Sequence, residues 1–220
     1  LIFGLYKGFI RSVISLVGIF VALFAAYTFS SRLVDWISNN PTLLNTLLYY
    51  TDATSRLGDL ELAQSLVSTL NSSAIADIVS RANLPAPFDA VLQSNMLNQV
   101  YAMLPQATVS EYLNQTVISI IIHIVSFVTV FFGAYAALTL LSNLLHYVFR
   151  FPVLKQFDLL LGGAFGLARG VFLVYVLFSV VPILMTVVPF PQLAEAVEQS
   201  QLGPLLLHSR LIQTIMQGHL

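Results

Sequence analysis

The chain contains no cysteine, so disulfide bridges, thiolate metal centres and thiol catalysis are excluded. Charge is nearly as scarce. Only 9% of the 220 residues are Asp, Glu, Lys or Arg, against about 25% in an average soluble domain. A surface so poor in charge cannot be wetted all round, and a lipid environment is the simplest reading. The net charge of −1 leaves no electrostatic footprint for nucleic acid. Catalytic signatures are missing too: there is no HExxH, no Gly-x-Ser-x-Gly, no phosphate loop and no paired aspartates in an apolar run. No enzymatic role, cofactor or metal is therefore expected. His146 has no metal-ligand spacing to another residue. His123 stands alone in its apolar run, and we read it as a hydrogen-bonded packing residue. The alternative is the functional role that any intramembrane histidine suggests.

What the chain does have is apolar length. It is 57% hydrophobic, with a mean hydropathy of +0.85. A membrane-crossing helix needs about 20 mostly apolar residues. Three stretches qualify: Ser12 to Phe29, Val117 to Leu141, and Gly170 to Val188 with Pro182 inside it. The first residue is Leu1 rather than Met, so a preceding hydrophobic helix is expected; with it the spans become four, in two hairpins. The fold class is therefore all-α, a polytopic helical membrane protein with a helical insertion outside the bilayer.

The expected organisation is 1–29 for the opening turn and first span, and 30–116 for the insertion. Residues 117–188 then carry the remaining spans, and 189–220 form a tail with an amphipathic stretch at Leu205 to Met216. Within the insertion, Asn-Pro, Leu-Gly-Asp, Asn-Ser-Ser and Pro-Ala-Pro punctuation separates segments of helical period. These predict helices near Thr42 to Tyr50, Leu60 to Leu70, Ala74 to Arg81 and Phe88 to Met103. The sequons at Asn71 and Asn114 are read as chance. Basic residues gather in short cytoplasmic loops. Lys7, Arg11, Arg150, Lys155 and Arg169 flank the spans with a single acid, Asp158, whereas the insertion holds three arginines against seven acids. The short basic regions are thus placed in the cytoplasm, with the insertion and the C-terminus outside.

Two heptads echo each other, FGLYKGF at residues 3–9 and FGLARGV at 165–171. Each leads into an outward-going span, as in a parallel repeat. Gly4 and Gly8 punctuate the first. In the second, Gly162, Gly166 and Gly170 recur every four residues, a small-residue pattern that lets helices approach closely in lipid. If one span ran on from Leu159, Arg169 would sit near the bilayer centre, where the translocon scale charges about 2.5–3.5 kcal/mol. We therefore expect a short buried helix from Asp158 to Ala168, hinged at Gly170, with Arg169 at the cytoplasmic interface. Arg11 and Arg169 then act as anchors that snorkel to headgroups. Asp158 caps the helix at Leu159, or pairs with Lys7 or Arg11.

The stretch GLYKGFIRSVISLVGIFVALFAAY resembles the opening signature of the colicin V production protein family. FPVLKQFDLLLGGAFGLARGVFLVYVLF resembles its second signature, and SQLGPLLLHSRLI its short tail. The positions carried over are Gly8, Arg11, Asp158, Gly162, Gly166, Arg169 and Gly170. The long insertion departs from the family pattern. The resemblance implies a multi-pass protein of the bacterial inner membrane with no enzymatic activity. It further implies a part in toxin or bacteriocin production and export, or in envelope maintenance. The partners implied are the lipid bilayer, further copies of the chain, or other envelope proteins. A small transporter or channel built from two repeats is the alternative, with Ser119, His123, Ser126 and Thr129 as its thin supply of polar groups. An intramembrane enzyme has no constellation to stand on.

Overall fold

The computed structural model describes residues 9–51, 57–103, 107–146, 155–187, 195–197, 199–207, 209 and 214. Among them there is no strand, only an isolated antiparallel bridge between Leu66 and Thr108. The expected all-α architecture is the one observed. Three helical regions, Ser12–Ser38, Val109–Leu141 and Gly162–Val187, are long and apolar enough to cross a membrane.

The first charge-free run lies in α1, Phe9–Ser38, which continues nine residues past Phe29. After it, Asn40 caps α2, Pro41–Thr51, its Oδ1 accepting from the amides of Thr42 and Leu43. Proline at the first helical position costs nothing, because that amide is unpaired in any helix. Gly58 adopts φ +64, a left-handed turn that favours glycine. Asp59 then caps α3, Leu60–Gln64, through the amides of Glu61 and Leu62.

The single helix expected over Leu60 to Leu70 is instead broken at Ser65. There the chain turns extended, with Val67 N–H donating to Ala107 and Val109 N–H to Ser65. Those cross-chain bonds replace the helical ladder, and a 3₁₀ turn, Val67–Thr69, follows. Asn71 caps α4, Ser72–Ala82, with its Oδ1 2.8 Å from the Ala74 amide. Helix α5, Phe88–Leu97, stops six residues short of the expected Met103. Gln99 lies at φ +48, and the amides of Gln99 and Val100 bond back to Met96 and Asn95. This is a Schellman ending with glutamine in the usual glycine place.

A capping box opens α6, Val109–His146. Thr108 Oγ1 accepts from the Glu111 amide at 3.3 Å, and the Glu111 carboxylate accepts from the Thr108 amide at 3.4 Å. The second span is thus the middle of a 38-residue helix.

The third span differs most from expectation. Helix α7, Lys155–Phe178, is unbroken through Gly170, so the hinge expected there is absent. Glycine keeps its N–H and leaves the helical ladder intact. Pro182 does not, and its ring meets the carbonyl four residues back. That carbonyl belongs to Phe178, where α7 ends; α8, Val181–Val187, restarts the helix three residues later. Asp158 accordingly lies inside the first turn of α7 rather than ahead of it.

The chain divides into two compact units, residues 1–32 with 126–178, and 33–125 with 179–220. In the second, α4 packs on α5 and α2 on α8. Ile75, Ile78 and Ala82 form the buried face of α4, and Phe88, Leu92 and Met96 are fully buried on α5. Each such large side chain contributes about 1.5–3 kcal/mol by leaving water. Ile37, Ile118 and Ile122 form another cluster, with Leu33, Val34, Leu44 and Leu47 packed on it. The tail contributes α9, Gly203–Leu207, where Gly203 lies against the Val197 carbonyl with no room for a Cβ. Most of the expected amphipathic stretch Leu205 to Met216 lies outside the described residues.

Candidate functional site

The unit of residues 1–32 and 126–178 holds three helical stretches: 24 residues of α1 (Phe9 to Arg32), 21 of α6 (Ser126 to His146) and the 24 of α7. At 1.5 Å per residue they measure about 36, 32 and 36 Å. Each is a close match to the ~30 Å hydrocarbon core of a bilayer.

The inward faces of α1 and α7 carry small residues, whereas α6 buries Phe127 and Phe131 beside Ser126. On α1 the buried positions are Ser12, Ile19, Ala22, Ala26 and Ser30. Ala22, Ala26 and Ser30 repeat every four residues, the small-residue spacing of close helix packing. This seam contains no glycine, and reading the sequence for glycine alone missed it. On α7, Gly162, Gly163 and Val176 are buried, while Gly166 and Arg169 are half-buried. Gly170 is exposed, beside Leu167, Val171, Val174 and Leu177, and a Cβ added to it would meet nothing within 4 Å. The reason is angular. A four-residue step turns about 400°, so each step drifts roughly 40°, and Gly170 stands about 80° from Gly162. Gly4 and Gly8 lie outside the described residues, as do the side chains of Arg11 and Asp158.

Arg169 marks the chemistry of this unit. It lies on the inward side of α7, nine residues before Phe178 and fourteen after Lys155. Its guanidinium carbon stands 5.6 Å from the centroid of the Tyr135 ring. Tyr135 is likewise nine residues from Ser126, mid-way along its stretch of α6. The phenol ring stacks on Phe131, 6.1 Å between centroids and 4° from parallel, and Phe131 itself is fully buried. Phe132 meets Phe131 edge-on at 5.2 Å, and Phe20 of α1 meets Phe172 of α7 in the same manner at 5.1 Å. An arginine over an aromatic face gains about 0.5–1 kcal/mol when exposed and about 2 when desolvated.

The Tyr135 hydroxyl is buried and has no hydrogen-bond partner. Thr139 does not supply one, because its own hydroxyl donates to the Tyr135 backbone carbonyl at 2.7 Å. Ser126 Oγ is also buried without a partner. The pairing of Arg169 with Tyr135 could not have been read from sequence, since 34 residues separate them and nothing in either motif names a tyrosine.

Thr129 lies on α6 in this unit and is exposed, and the remaining polar candidates lie in the other unit. His123 Nδ1 donates to the Ser119 carbonyl at 2.7 Å, with Ser119 Oγ at 3.4 Å, the hydrogen-bonded packing position expected of it. Asn95 Nδ2 donates to Thr116 Oγ1 at 3.0 Å. Burial pushes the Tyr101 phenol above its ordinary range, while hydrogen bonds with Thr116 and Ser119 act in the opposite sense. Among the described residues, no three metal-binding side chains converge.

Compared with known proteins, the chain matches the family model described as Colicin V production protein over residues 1–84 and 96–210. No curated protein and no solved structure matches it.

Proposed function

The chain belongs to the colicin V production protein family and is an integral membrane protein; from that premise we propose a non-enzymatic role in the bacterial inner membrane, supporting toxin or bacteriocin production or export and envelope maintenance. The observation that carries this reading is the family match across both spans of motif and most of the chain. In it, the three apolar helical regions Ser12–Ser38, Val109–Leu141 and Gly162–Val187 are the membrane-embedded part. The connection between the first two, with its own apolar core and capped helices, lies on the outer side. The basic residues Lys7, Arg11, Arg150 and Lys155 support that orientation by collecting at the opposite ends of the spans. The outward stripe of Leu167, Gly170, Val171, Val174 and Leu177 is the face offered to lipid or to an assembling partner. Gly162 and Gly166, on the inward side, serve packing within the unit.

The test is complementation. In a colicin V producer lacking its own family member, expression of this chain should restore toxin release, with the protein recovered in the inner membrane. Normal membrane levels with no restored release would overturn the reading. A second reading, a small transporter or channel, draws support from one observation: a cation within the apolar spans beside an unsatisfied hydroxyl. Solute flux in liposomes that depends on Arg169 would favour it over the first.

A further inference from the structure

We propose that Arg169 and Tyr135 form an anion-binding site inside the membrane unit, one that takes a small oxyanion such as a phosphate. The argument starts from charge. A guanidinium stays protonated at any pH a protein survives, so burial cannot neutralise it. Within residues 1–32 and 126–178 the sole acid is Asp158, eleven residues from Arg169 on the same helix. That is about 16 Å along the axis, too far for a direct pair. Neither can the side chain escape to water. The near end of its apolar span, Gly162, lies seven residues away, about 10 Å, and three methylene groups do not bridge that distance.

The neighbours point the same way. The Tyr135 ring holds the guanidinium in place by its face, leaving the N–H edge uncommitted to any carboxylate of this unit. The phenol adds a buried hydroxyl with no partner. The pair thus presents donors without an acceptor, the complement of an oxyanion. An unmet buried donor is unfavourable, and an oxyanion would satisfy it together with the cation. Ser126 Oγ does not belong to this site, since nine residues of helix, about 13 Å, separate it from Tyr135. The proposal does not depend on the toxin-export reading, because its test measures binding and not secretion.

Two sources can supply the phosphate: the free ion, or an anionic lipid headgroup drawn inward. The full chain in phosphatidylcholine nanodiscs would be titrated with radiolabelled inorganic phosphate. Saturable binding is expected, abolished in Arg169→Gln and weakened about tenfold in Tyr135→Phe, the worth of one hydrogen bond to a charged group. Arg32→Gln, whose side chain stacks on Phe29 of its own helix, should bind as the parent does. In a second arm, phosphatidylglycerol replaces part of the neutral lipid. Retention of that lipid by the parent but not by Arg169→Gln, read by native mass spectrometry, supports the site with the headgroup as its occupant. Should Arg169→Gln fail to insert, Tyr135→Phe removes one oxygen only and decides the matter. Binding of phosphate or phosphatidylglycerol that is absent, or equal in parent and both variants, overturns the proposal; the counter-ion would then be a carboxylate of a partner helix.

Discussion

Three glycines allow the depth of Arg169 to be measured directly. Gly18, Gly133 and Gly170 lie on α1, α6 and α7, and a Cβ added to any of them meets nothing within 4 Å. The chain has no cysteine, so a single Gly→Cys substitution gives a unique label site. Replacing a helical glycine should also favour the helix by up to about 1 kcal/mol. Gly18 stands six residues from Ser12, Gly133 eight from Leu141 and Gly170 eight from Gly162, the near ends of their spans. At 1.5 Å per residue those are depths of about 9, 12 and 12 Å, well inside a ~30 Å core. Spin labels at the three positions, read by power saturation with oxygen and a water-soluble nickel complex, should therefore report similar, deep immersion. The energetics are consistent. Holding an arginine at the bilayer centre costs about 2.5–3.5 kcal/mol on the translocon scale. A desolvated stack on Tyr135 returns about 2 of these, and Tyr135→Leu should forfeit that amount. If the label at position 170 proves as accessible to nickel as one at the headgroups, while 18 and 133 stay buried, the reasoning fails. Arg169 would then be an interfacial anchor, as its sequence context alone suggested.

Other perturbations test the packing and the second compact unit. Ala26→Leu should overpack the small-residue seam of α1 and lower stability in mild detergent by about 1–3 kcal/mol; an unchanged thermal midpoint would remove the seam. Thr108→Val deletes one half of the capping box and should cost about 1 kcal/mol, seen as faster hydrogen exchange over residues 109–113. Tyr101 supplies a pH dependence. Because burial raises its pKa above the unfolded value of about 10, the unfolded chain loses this proton first as pH rises. Resistance of the unit of residues 33–125 and 179–220 to proteolysis should hold below about pH 10 and decline above it, and Tyr101→Phe should flatten that decline. An equal decline in both proteins would show that other groups govern it.

The spans were legible in the sequence because they are charge-free runs of membrane-crossing length, and the helix starts near Leu60 and Ala74 because turn residues stand before helical periodicity. Two features were not. Ser65 and Val67 leave the helix for bonds to Val109 and Ala107, partners forty or more residues away that no local pattern reveals. At the third span the cost of a central arginine was set against the ease of bending at Gly170, and bending was expected. Glycine permits a bend without requiring one, whereas Pro182 requires it, so the break lies at Phe178 and Arg169 stays inside the helix. The glycine pattern gave the inward positions Gly162 and Gly166. The tyrosine that meets Arg169 needed the fold.

A fixed positive charge held within an apolar span also has an electrical consequence. An elementary charge crossing the full membrane gains or loses about 2.3 kcal/mol per 100 mV, so about a third of the way in Arg169 would feel about 0.8 kcal/mol per 100 mV. An empty guanidinium would be pulled along the field of an energised cell and pressed off the Tyr135 ring. One neutralised by an oxyanion would give the field nothing to grip. The state of this single side chain would then register the energisation of the membrane itself.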